Sequence, residues 1–204
     1  MSTSSASLEH EHEHETHGLP PYVRVARAKA IVLMLIVSDA LSVLAILAAG
    51  GYLSGLNTEG QFRIANDFAP PLVPGLLVMI GLVLSGISYF LWERQARRPG
   101  VTGQTLFLLV ALVLMFVAGV GETWIAAALR YGVIIQAYES VQLLITWFTA
   151  MHLLLAAFVG LLLIGRVMRG RIAGHEFLVE STGYWWYYTI VASLLLWIFA
   201  LLLT

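Results

Sequence analysis

Tyr138–Gly160 reads YESVQLLITWFTAMHLLLAAFVG, a run with one histidine, His152, near its middle and no basic residue. A helix crosses the roughly 30 Å hydrocarbon core of a bilayer with about 20 apolar residues, so this run predicts a membrane-spanning helix. At about 100° per residue, Gln142, Thr146, Thr149, His152, Ala156 and Gly160 share one arc of about 120°. The polar and small residues of the run therefore form one face, which should meet other helices. The Leu, Val and Ile positions are left for lipid.

Four further runs have the same character, so the segments lie at about 30 to 53, 72 to 92, 104 to 129, 141 to 168 and 183 to 203. The chain has 204 residues, of which 59% are apolar and 11% charged, a balance that calls for a solvent other than water. The fold class that follows is an all-α integral membrane protein with a five-helix transmembrane domain, residues 30–204. Residues 1–29 read as a disordered His/Glu-rich tail: EHEHEHETH at 9–17 followed by GLPPY has no apolar content for a core. That acidic stretch also argues for a retained first helix rather than a cleaved signal, and no acyl or prenyl acceptor pattern is present.

Nine of the eleven Lys and Arg residues fall on one side of this topology: Arg24, Arg27 and Lys29 before the first segment, Arg94, Arg97 and Arg98 after the second, Arg166, Arg169 and Arg171 after the fourth. The positive-inside rule makes that side cytoplasmic, with the N-terminus inside and the C-terminus outside. Only Arg63 and Arg130 fall in outer loops.

Ionisable residues within the segments are the functional candidates, because a charge in hydrocarbon is costly. Asp39 stands in KAIVLMLIVSDALSVLAILAAGGYL, about 13 Å from the inner end of its segment at 1.5 Å per residue. It should face the bundle, with Ser42 on the same face. Glu122, behind Gly119 and Gly121, lies about two turns from the outer end of the third segment. It is the expected partner of His152, a polar pair that with Thr146 and Thr149 fixes helix packing. Gly81, Ser85 and Ser88 in the second segment suit close helix approach. Tyr184, Trp185, Trp186, Tyr187 and Tyr188 suit an aromatic belt at the inner interface or the core, and the basic residues before them suit anionic phospholipid headgroups.

Several chemistries are disfavoured. There is no cysteine, which removes disulfides, thiolate metal sites and iron–sulfur clusters from these residues. A bis-imidazole haem needs two histidines at matching depth; His152 is the only one inside a segment, and His175 lies at an edge. The tail histidines His10, His12, His14 and His17 read as solvated. No nucleophile, phosphate-loop or nucleic-acid motif is present.

Tyr138, Ser140, Thr146, Phe148 and His152, together with His175, Phe177, Glu180 and Trp186 in HEFLVESTGYWW and the stretch IVSDALSVLAILAAGGYL around Asp39, resemble subunit III of the haem-copper oxidases, the cytochrome c and quinol oxidases. The resemblance covers roughly residues 30 to 203 in the shorter, five-helix form. Asp39 stands where that family has an acid, usually Glu, and Glu122 where it has a glutamate. Thr149 and Tyr187 stand where histidines are common.

What the resemblance implies is an accessory subunit without a redox centre or catalytic residues. It would hold no cofactor or metal of its own, with haem and copper in the partner catalytic subunit I. Further partners would be other oxidase subunits and membrane phospholipids, but no nucleic acid, and the location a bacterial cytoplasmic membrane. Asp39, His175 and Glu180 would support proton uptake; Glu122, Thr146, Thr149 and His152 would serve buried polar packing. Two alternatives stay open: a related accessory subunit associated with nitric oxide reductase, and a small independent membrane transporter.

Overall fold

The computed structural model describes residues 20–57, 62, 71–96, 105–128, 137–170 and 176–203. Five helices make up the order: α1 Pro21–Gly55, α2 Leu72–Ala96, α3 Thr105–Ala128, α4 Ala137–Met168 and α5 Glu176–Leu202. All five are long and apolar enough to cross a membrane. The described residues thus form an all-helical, membrane-embedded bundle.

Three helices start earlier than the sequence suggests: α4 by about one turn, at Ala137, and α1 and α5 by two turns or more. α1 begins at Pro21, with a proline in its first turn, where the missing N–H has no intrahelical partner to lose and φ is already helical. Residues 21–29, expected within the disordered tail, therefore belong to α1. The remainder of the tail, with His10, His12, His14 and His17, lies outside the described residues. α5 begins at Glu176, so the aromatic cluster at 184–188 sits two to three turns inside the helix. Trp185 and Trp186 are buried, and Tyr187 and Tyr188 point their hydroxyls at side chains of α2 and α1. Only Tyr184 keeps the exposed position an interface belt requires.

Packing is uneven. α3 lies between α2 and α4, α5 lies across α2 and α4, and α1 touches only α5 and α4 among the described residues. An 18-residue apolar stretch of α1 is 11% buried against 44% for its counterpart in α4, which leaves Ile31, Met34, Val37 and Leu41 for lipid or a partner. Lys29 on α1 and Glu180 on α5 form an ion pair of 2.7 Å, placing the starts of these two helices at the same end. That end also carries Arg94, Arg166 and Arg169 and is called the basic end below.

Hydrophobic transfer does not drive helices together in lipid, so close packing and interhelical hydrogen bonds must. The α2–α5 core supplies both. Trp186 is fully buried and stacks on Tyr89 with ring centroids 5.0 Å apart. Its indole N–H donates to Ser85 Oγ at 3.2 Å, and Ser85 donates in turn to the Ala111 carbonyl of α3 at 2.7 Å. Gly160 of α4 makes room for that ring: a Cβ there would lie 2.7 Å from it. Of the small residues singled out in the second segment, Ser85 makes the interhelical bond, whereas Gly81 faces open space. A second cluster, with Val43, Ile46, Val141, Ile145 and Leu196, ties α1 to α4 and α5.

Candidate functional site

Three helices converge on Asp39. His152 Nε2 of α4 lies 2.7 Å from Asp39 Oδ1, and the Tyr188 hydroxyl of α5 donates to Asp39 Oδ2 at 2.6 Å. The other imidazole nitrogen, Nδ1, lies 2.7 Å from the Phe148 carbonyl one turn back on α4. The side chains of His152 and Asp39 are only 19% and 14% exposed, and the imidazole is flanked by the Phe148 and Trp185 rings at 4.1 and 6.2 Å.

This wiring limits where protons sit. A carbonyl only accepts, so Nδ1 carries hydrogen, and Nε2 then either donates to a carboxylate as imidazolium or accepts from a neutral acid. In both cases one proton is shared between Asp39 and His152, and their summed charge is zero. A neutral cluster is the form that a membrane interior accepts at least cost.

The expected Glu122–His152 pair does not form, since both ring nitrogens of His152 are engaged elsewhere. Depth explains the difference. At 1.5 Å per residue, Glu122 lies about 9 Å from Ala128, while His152 lies about 22 Å in from Ala137, Asp39 about 24 Å from Gly55 and Tyr188 about 21 Å from Leu202. The last three match in level; Glu122 does not. His152 also sits about 80° round α4 from Gln142, enough to turn it toward α1 while Gln142, Thr146 and Thr149 line the cavity beside Glu122.

Those three residues meet Glu122 instead. Glu122 is 5% exposed and lines a small cavity with Gln142, Thr146 and Thr149. Buried polar packing is thus what Thr146, Thr149 and Gln142 show, in a place separate from the Asp39 cluster. Ser42, expected on the Asp39 face, is exposed and bonds the Ser38 carbonyl of its own helix; Val43 and Ile46 occupy the inward positions.

Glu180 lies at the basic end, bonded to Lys29 and accepting from Tyr184. His175 lies outside the described residues. Two further residues make buried polar contacts that are not singled out in the sequence analysis. Tyr188 completes the Asp39 cluster, hidden in a run of aromatics that reads as an interface belt. Glu93 is 8% exposed and accepts from the Tyr187 hydroxyl at 2.8 Å; its signal was its place four residues after Tyr89, on the same helical face.

In comparisons with known proteins, the chain matches no family model and no curated relative.

Proposed function

We propose that this chain is an accessory, non-catalytic subunit III of a respiratory haem-copper oxidase in a bacterial cytoplasmic membrane, packed beside the catalytic subunit that holds haem and copper. The observation that supports this reading is the Asp39–His152 bond. The resemblance picks these two residues independently, from stretches 113 positions apart, and they meet at one depth with their charge balanced.

His152 fits a packing role better than a haem-ligating one, because both of its nitrogens are already engaged and neither offers a lone pair to iron. The thinly covered face of α1 suits a partner subunit or phospholipid. With the basic end cytoplasmic, Glu180 and, by resemblance, His175 stand where protons enter, and the Asp39–His152 pair holds one further proton deep in the bundle. In this role the chain preserves proton supply and activity of the catalytic subunit over many turnovers, and oxygen chemistry stays with that subunit.

The test is to purify the gently solubilised complex through this chain and record its visible spectrum, metal content and subunit masses. Haem and copper on a large co-purifying subunit that consumes oxygen is the expected result, with sustained turnover falling in Asp39→Ala. A haem-free chain without that partner overturns the proposal.

A further inference from the structure

The half of the bundle away from the basic end holds an acid that the Asp39 cluster does not use. Glu122 of α3 is buried, and among the described residues no ion pair or hydrogen bond reaches it. The cavity beside it measures about 20 Å³, against the roughly 10–15 Å³ that one water needs.

Gln142, fully buried, also lines this cavity. Its amide orientation is not free: Nε2 donates to the Ala200 carbonyl at 2.9 Å, and a flipped amide would set two acceptors against each other. Oε1 is therefore fixed as the remaining atom, and among the described residues it has no donor. Thr146 does not supply one, because its hydroxyl donates to the Gln142 backbone carbonyl at 2.8 Å. A buried acceptor left without a donor is rare in folded proteins.

Charge points the same way. The described residues that line the cavity from α2, α4 and α5 include no basic or acidic group. Glu139, one turn outward of Gln142 on α4, is an acid and offers Glu122 no counter-charge. Trp197 of α5 contributes an indole N–H, which passes over Gly75, where a Cβ would lie 2.5 Å from Nε1. The cavity thus offers one water partners of both kinds, as bound waters require.

We propose that this cavity is a proton-holding water site, in which a neutral Glu122 carboxyl donates to one bound water and that water donates to Gln142 Oε1. One proton stays on Glu122, the water keeps both of its own, and the group carries no net charge. This assignment does not depend on the oxidase reading, since it concerns atoms of this chain alone.

Infrared difference spectra of the full chain in lipid nanodiscs, wild type against Glu122→Gln, test it. A protonated-carboxyl carbonyl band at neutral pH that vanishes in the variant and shifts in heavy water is expected, and in Gln142→Leu that band should move to higher frequency as its hydrogen bonding weakens. Glu122→Met, of similar volume, provides the same subtraction should the amide variant misfold. The site is overturned by carboxylate bands for Glu122 at neutral pH, or by a band that ignores heavy water. Loss of the band on adding sodium ions would also overturn it, replacing the proton with a bound cation.

Discussion

Replacing His152 with leucine tests whether the Asp39 cluster holds α1 in place. The substitution removes the 2.7 Å bond to Asp39 and the bond to the Phe148 carbonyl, leaving Asp39 with the Tyr188 hydroxyl alone and without the group that shares its proton. Interhelical hydrogen bonds in membranes average about 0.6 and reach about 1.7 kcal/mol, whereas stripping one partner from a buried pair costs about 3–5 kcal/mol. The pair is neither fully buried nor fully exposed, at 14–19%, so a loss of about 1–3 kcal/mol is expected. Asp39→Leu should cost a similar amount, and because the residues touch, the double variant should cost less than the sum by about 1–2 kcal/mol. Reversible unfolding of the full chain in bicelles gives these values, and crosslinking between α1 and α4 reports the same loss as disorder of α1. Additive costs for the two substitutions would refute the reasoning, as would unaltered assembly of His152→Leu.

The other predictions concern separate contacts. Tyr188→Phe removes only the hydroxyl bond to Asp39 and should cost about 0.5–1.5 kcal/mol, measured in the same unfolding assay. Gly160→Ala should cost about 1–3 kcal/mol, because the new methyl meets Trp186, which cannot retreat while it stacks on Tyr89 and bonds Ser85; a shift in tryptophan fluorescence should accompany the loss. Ser85→Ala takes the acceptor from the Trp186 indole and the donor from Ala111, and a cost of about 1–3 kcal/mol is expected, with Ser85→Thr recovering part of it. Lys29→Met should cost less than about 1 kcal/mol, since the Lys29–Glu180 pair is 34% and 25% exposed, and its effect should shrink further in high salt.

Five helices and a membrane environment are legible in the sequence because the demand is local: each crossing satisfies its backbone by its own helical hydrogen bonds and needs its own continuous apolar run to match the hydrocarbon. The identity of the buried polar residues is legible for the same reason, since Asp39, Glu122 and His152 each interrupt such a run. Helix starts are less so. Pro21 and Glu176 begin helices within polar sequence, where hydropathy carries no signal and only packing and the proline cap decide.

Which polar groups meet was decided by the tertiary structure alone. Glu122 and His152 stand on helices adjacent in sequence and in space, yet depth and a rotation of about 80° round α4 send His152 to Asp39 and leave Glu122 with Gln142, Thr146 and Thr149. Tyr188 joins the first group only because α5 starts two turns early and carries its aromatics inward. Periodicity in one helix fixes which residues share a face; it does not contain the height and rotation of the neighbouring helix, and those set the partners between helices.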